Sequence, residues 1–229
     1  NDRARTVPSF DRTATQTAAP ARGARLGLYQ HRVLPRLINL GMRNKRLEPL
    51  RERQVADARG RVLEIGIGSG LNLPFYRRDI EAVIGIDPSL ELLTMARRHT
   101  AWLHFPVKLL HGPAEELPLE DGSVDSVVIT WTLCSVAEPA RVLAEARRVL
   151  SPGGAMLFIE HGQAPETGVR RWQDRLTPLW QKLAGGCHLN RQIDHLIAQA
   201  GFEIAALETG YLVKGPRPLT FHYLGRALA

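Results

Sequence analysis

Apolar residues follow two spacings along the chain, and the switch between them falls near residue 59. From Leu26 to about Ala58, residues such as Val33, Leu37, Ile38, Leu40, Leu47 and Leu50 recur at intervals of three, four and seven among basic residues. That is the periodicity of an amphipathic helix, and Pro35 and Pro49 predict that it is kinked or divided. Beyond that point short apolar runs alternate with helical patterns. Strands are predicted at Arg61–Ile65, Ala82–Ile86, Val107–Leu110, Ser123–Thr130 and Ala155–Glu160. The Val/Ile-rich fourth run suits a strand buried on both faces. Helices are predicted from Leu71–Arg77, from Ser89–His99 with Ser89 as its cap, from Glu138–Leu150, from Thr167–Leu183 and from Asn190–Ala200. Two last strands, Phe202–Glu208 and Leu219–Leu228, are joined by Gly210–Pro218. That connection has no room for a crossover helix, so these two strands should pair antiparallel.

Strands alternating with helices predict an α/β domain, a parallel sheet with helices on both faces. Residues 1–24 read as a flexible arm, 25–58 as an amphipathic helical lead-in that covers the sheet, caps a pocket or lies on a membrane, and 59–229 as the main domain. With 229 residues and 44% hydrophobic content, the chain can bury one good-sized core. No apolar run reaches the ~18–20 residues of a membrane span. Cys134 and Cys187 give neither a disulfide framework nor metal-ligand spacing, so a reducing, cytoplasmic setting is expected. His188 and His195 lack metal partners, and no metal is expected.

The net charge of +7 is concentrated before residue 60, from Arg22 and Arg25 through Arg43, Lys45 and Arg46 to Arg59. A solvated helix face explains it, with peripheral contact to an anionic membrane as the alternative. No aromatic stacking module or zinc-finger spacing accompanies the charge, and no nucleic-acid partner is expected.

The stretch Val62-Leu63-Glu64-Ile65-Gly66-Ile67-Gly68-Ser69-Gly70 places three glycines directly after the first strand. Glycine there lets a ligand approach the backbone closely. A dinucleotide site wants glycine at the first, third and sixth positions. Counted from Gly66, the third is Gly68 but the sixth is Leu71, which weakens that reading. Asp87 ends the second strand, where an acid can bind ribose hydroxyls. Glu64 can meet an ammonium group, and His111-Gly112-Pro113-Ala114-Glu115 follows the third strand, where an adenine edge would lie. The ligand so described has an adenosine, an amine and a carboxylate, but no pyrophosphate.

In their order, LEIGIGSG, GIDPS, GPAEELP, DGSVDSVVITWTLCSV and RVLSPGGAMLFIEHG resemble the motifs of class I S-adenosylmethionine-dependent methyltransferases, over roughly Arg61 to Ala229. The resemblance implies a Rossmann-like three-layer α/β/α sandwich with a seven-stranded sheet and an antiparallel terminal hairpin. It also implies S-adenosyl-L-methionine as cofactor, S-adenosyl-L-homocysteine as product, and a small-molecule methyl acceptor. TWTLCSV, EHG, RWQDRLTPLWQKLAGGCHLNR and GYLVKGPRPLTFHYLG are similar to the methyltransferase-like seven group, which methylates small thiols including sulfide. Related bacterial sequences resemble phospholipid or quinone methyltransferases, so those acceptors and natural products stand as alternatives. The basic arm alone would suit a cofactor-binding or nucleic-acid-binding regulator without turnover.

On this reading Gly66, Ile67, Gly68, Ser69 and Gly70 shape the cofactor loop. Glu64 holds that loop or the amino group, and Asn72 touches the methionine end or caps a helix. Asp87, followed by Pro88, binds ribose, while Ala114 and Glu115 lie near adenine. Many family members carry an acid where Pro113 stands here. Thr130, Trp131 and Cys134 follow the fourth strand at the sheet's carboxyl edge, where sites in such sheets collect, and Trp131 is a candidate wall for the sulfonium. His161 is a candidate proton acceptor, and Cys187, His188 and Asn190 form a candidate acceptor-pocket cluster. A thiol has a pKa near 8.5 and needs no strong base. The lack of an obvious catalytic pair therefore favours a thiol acceptor.

Overall fold

A computed structural model describes residues 33–229. The predicted arm and the first residues of the lead-in lie outside the described residues. The lead-in divides where its prolines fall. Helix α1 spans Leu34–Met42 and α2 spans Glu48–Val55, each with proline in its first turn, where the missing N–H costs nothing. The strands are β1 (Arg61–Ile65), β2 (Ala82–Asp87), β3 (Val107–His111), β4 (Val124–Thr130), β5 (Leu150–His161), β6 (Glu203–Tyr211) and β7 (Phe221–Leu228). Between them lie α3 (Leu90–Thr100), α4 (Pro139–Val149), α5 (Thr167–Leu183) and α6 (Ile193–Gln199). Ser89 caps α3 as expected, its Oγ accepting from the Leu92 amide at 3.3 Å.

The seven strands form one sheet in the order β3-β2-β1-β4-β5-β7-β6. β1 to β5 are parallel, and β7 inserts antiparallel between β5 and β6. The order reverses between β1 and β4, so the loops leaving their carboxyl ends diverge and leave a crevice. Along β1 the pleat sends Leu63 and Ile65 to the core shared with α4 and α6. Val62 and Glu64 point to the other face, where Val55, Ala58, Leu73 and Leu93 pack. The carboxylate of Glu64 is therefore delivered to the α2 side of the sheet.

The helix expected from Leu71–Arg77 is a single 3-10 turn, Leu73–Phe75. Pro74 fits a first turn but cannot donate to a longer one. Asn72 and Tyr76 also turn inward to Glu64 rather than propagating a helix. The lead-in is part of the fold: Val55 is fully buried, and the Gln54 side-chain amide donates to the Gly225 carbonyl at 2.8 Å. No described helix is long and apolar enough to cross a membrane.

Gly225 sits where β5, β6 and α2 converge. A Cβ there would meet the Ala206 carbonyl and lie 2.6 Å from Phe158 Cζ. Gly225→Ala is expected to cost about 1–3 kcal/mol, the range for overpacking, measured as a lowered urea midpoint with an unchanged m-value.

Candidate active site

At the carboxyl end of β1 the chain turns through Gly66 (φ 71°) and Gly68 (φ 56°), a left-handed region that side-chain-bearing residues rarely adopt. A Cβ on Gly66 would collide with Thr132. A Cβ on Gly68 would meet nothing nearer than the Gly66 carbonyl at 3.9 Å, so this stretch of backbone faces open space. Asp87 fixes the loop from β2. Its Oδ2 accepts from the Gly68 amide at 2.9 Å and its Oδ1 from the Ser89 amide at 2.8 Å. Burial raises its pKa, and each oxygen keeps a lone pair for a further donor. Ser69 Oγ donates to Asn39 Oδ1 at 2.6 Å, which ties the loop to α1.

Beneath the loop lies a closed polar network. Glu64 is 1% exposed. It accepts from Asn72 Nδ2 at Oε1 and from the Tyr76 hydroxyl at Oε2, both at 2.9 Å. Asn72 also donates to Thr130 Oγ1 at 3.0 Å and accepts from Arg51 Nη1 at 2.9 Å. The Arg51 guanidinium lies 4.6 Å from the centroid of the Trp131 ring, a contact of about 0.5–2 kcal/mol. Burial pushes Glu64 up to about 7, against the lowering effect of its Tyr76, Arg51 and Asn72 partners. Burial also lowers Arg51 to about 10, leaving it charged at neutral pH.

After β4 the backbone reverses at Trp131 (φ 52°), the one non-glycine residue with positive φ among the described residues. Such a conformation costs about 1–3 kcal/mol and needs surroundings that enforce it. Glu160, fully buried at the end of β5, does so. Its Oε1 accepts from the Thr132 and Leu133 amides at 2.8 and 3.0 Å, and its Oε2 from the Cys134 amide at 3.0 Å. Three successive amides around one carboxylate make a filled anion nest. Burial still raises Glu160 to about 7.

Both loops open onto one cavity of about 890 Å³. One end is lined by Gly68, Asp87, Pro88, Ala114 and Glu115, the other by Trp131, Cys134, His161, Trp180, Cys187 and His222, with α1 across the mouth. His161 is 5% exposed, and its Nε2 has no hydrogen-bond partner among the described residues. His222, 5.5 Å from His161 between ring centroids, is held down to about 4 by burial and is neutral at pH 7.

Three comparisons bear on this architecture. The "Methyltransferase domain" family matches residues 63–158. The thiol S-methyltransferase TMT1B of Homo sapiens is 34% identical over 216 residues, 87% of this chain and 84% of that protein. Its Rattus norvegicus counterpart is 33% identical over 188 residues, 76% of this chain and 75% of that one. A crystal structure of an S-adenosylmethionine-dependent methyltransferase from Thermotoga maritima is 25% identical, with a TM-score of 0.61 over 87% of this chain and 99% of that one. The chain belongs to the class I S-adenosylmethionine-dependent methyltransferases. Within them it is related to the methyltransferase-like seven group.

The methyltransferase's cofactor is S-adenosylmethionine, and the residues present fit it. The donor carries an ammonium and a sulfonium, and Glu64, Asp87 and Glu115 put carboxylates on the cavity wall. The open face of Gly68 leaves room beside the loop that a side chain would fill. Most predicted site residues line the cavity: Glu64, Gly66, Ile67, Gly68, Ser69, Asp87, Pro88, Ala114, Glu115, Thr130, Trp131, Cys134 and His161.

Gly70, Asn72 and His188 do not. Gly70 packs on Leu73 and Ala96, and Asn72 is the hub of the buried network. His188 bonds back to the Cys134 carbonyl, its Nδ1 at 3.3 Å. In the predicted polar cluster it is Cys187 that faces the cavity, while Asn190 donates to Asp174 at 2.8 Å. The expectation for Trp131 is also modified, because one indole face is already stacked by Arg51. Arg51, Tyr76 and His222 escaped the sequence reading. Arg51 looked like one more charge on a solvated face, Tyr76 stands in no quoted motif, and His222 lies inside GYLVKGPRPLTFHYLG without any local signal that singles it out.

Glu64 keeps its proton to about pH 7 in the folded state, against an ordinary 4.5. Between those values the unfolded chain releases a proton that the folded chain retains, so the Glu64 contribution to stability falls as pH rises across the window and levels above it, while His222, held down to about 4, acts in the opposite direction up to about 6.5. Glu64→Gln should remove its share of the fall, on the order of 2–3 kcal/mol, leaving those of Glu160 and Asp87. Urea unfolding of both proteins from pH 4.5 to 8 measures it.

Proposed function

We propose that this methyltransferase methylates small thiols, sulfide or alkyl thiols, at the His161 end of the cavity. The observation that carries the reading is His161 Nε2, buried at this end of the cavity and without a hydrogen-bond partner among the described residues. The names of the two TMT1B relatives, thiol S-methyltransferases, support it. S-adenosylmethionine supplies a methyl group made electrophilic by its sulfonium.

The protein's residues supply position and proton handling. Asp87 offers acceptor lone pairs to ribose hydroxyls, Glu64 a carboxylate to the amino group, and Ala114 and Glu115 a wall for adenine. His161 Nε2 accepts the acceptor's proton, and His222, held down to about 4 by burial, is a poor base for that role. Trp180 and Ala184 at the α5 end, with Leu34 and Ile38 of α1, narrow the opening and limit the entry of water. Holding an acceptor in line in a dry site accounts for several kcal/mol of barrier. A thiol of ordinary acidity needs only a weak base such as imidazole.

A second reading, a lipophilic acceptor, is favoured by Leu37 and Leu183, which line the mouth with 51% and 56% exposure. One panel separates the two. Sulfide, alkyl thiols, amines, quinols and phospholipids are each offered with S-adenosylmethionine, and products are identified by mass spectrometry. S-methyl products are expected, whereas turnover confined to quinols or phospholipids overturns the thiol reading. In thiol methylation His161→Gln should lower kcat/KM by about a hundredfold at pH 7. The deficit should shrink as pH rises past the thiol pKa of about 8.5, because the thiolate then needs no proton acceptor.

A further inference from the structure

Cys134 follows β4 and Cys187 follows α5, 53 residues apart in the chain, yet their sulfurs lie 3.5 Å apart and both line the cavity. Both are free thiols. The two segments are held together by the main chain, the His188 amide donating to the Cys134 carbonyl at 2.7 Å. A disulfide has an S–S length of about 2.05 Å, so joining these sulfurs asks for an approach of roughly 1.5 Å. The two cysteines are not equivalent. Cys187 is 9% exposed and Cys134 only 1%, so a molecule in the cavity reaches Cys187 first. His161 Nδ1 lies 3.8 Å from Cys187 Sγ. Its hydrogen bond with Cys134, followed by that with His161, holds Cys187 below the ordinary thiol range, while Cys134 is pushed up.

We propose that Cys187 and Cys134 form a redox-active dithiol that exchanges with small organic disulfides entering the cavity and closes to an internal disulfide at its acceptor end. Cys187 Sγ attacks one sulfur of the disulfide RSSR. The S–S bond breaks, and the departing RS⁻ takes up the proton lost by Cys187, with His161 Nδ1 within reach to relay it. Cys134 Sγ then attacks Cys187 Sγ in the mixed disulfide. The second RS⁻ leaves with the Cys134 proton. The balance is RSSR plus two cysteine thiols giving one protein disulfide and two RSH; the cysteines are oxidised and the small disulfide reduced. Both sulfurs belong to the cavity wall, so the cross-link reshapes the space beside His161 and switches methyl transfer off until a reductant reopens it. The exchange is distinct from methyl transfer and stands whichever acceptor the methyltransferase uses.

The test treats the full, freshly reduced chain with bis(2-hydroxyethyl) disulfide in the absence of air and follows intact mass and peptide maps. The expected result is a transient adduct on Cys187, then a chain lighter by two hydrogens with Cys134 and Cys187 cross-linked and two 2-mercaptoethanol molecules released. Cys134→Ser should stall at the Cys187 adduct, and Cys187→Ser should leave Cys134 unmodified. The wild-type map decides the matter even if either variant misfolds. A lasting adduct without a cross-link overturns the proposal, as does a native chain that stays inert under conditions that modify the urea-unfolded chain. Methyl transfer should be lost with the cross-link and return with dithiothreitol; a cross-linked chain that keeps full activity overturns the switch.

Discussion

A carboxylate removed from water must find its compensation inside the protein, and Glu64 finds most of it, burial still raising its pKa to about 7. An isolated buried charge costs far more than a fold's net stability can bear. Glu64 is tolerated because Asn72 and Tyr76 donate to it and because Arg51, one residue further out, balances its charge through Asn72. These partners come from α2, from the segment after the glycine loop and, through Thr130, from β4. Satisfying one side chain thus fixes four pieces of chain at the point where the strand order reverses. The glycine loop is stretched over this network and inherits its position.

The neighbouring loop is built on the same logic. Glu160 gathers three successive amides after β4, which repays the left-handed turn at Trp131. Trp131 in turn lies against Arg51, so the two buried carboxylates share one stacked contact. The cavity is the space between two loops, each pinned by an acid from beneath. Its glycine end carries carboxylates, and its other end carries imidazole and thiol groups.

Much of this was legible in the chain. Short apolar runs located all seven strands, the short connection between the last two called for their antiparallel pairing, and the glycine loop and Asp87 both reach the cavity wall. What was not legible depends on contacts between distant residues. The helix after Gly70 shrank to one turn because Asn72 and Tyr76 are drawn to Glu64, and no local propensity registers that pull. Arg51 carries the pattern of a surface charge and becomes 5% exposed only when α2 folds over the 3-10 turn. His188 and Cys187 are adjacent in sequence, and backbone geometry alone decides which one faces the cavity. The proximity of Cys134 to Cys187 is likewise a property of the fold.

The central claim is that the network under the loop, rather than the glycines alone, sets the donor site. Titration calorimetry of S-adenosylhomocysteine into wild-type and Asn72→Leu protein tests it most directly, with circular dichroism to show that the fold survives. Asn72 does not line the cavity, so any loss must travel through the network it holds together. The account predicts affinity weakened by about tenfold or more, the ~1.4 kcal/mol scale of one buried polar contact; unchanged affinity in a well-folded variant would contradict it.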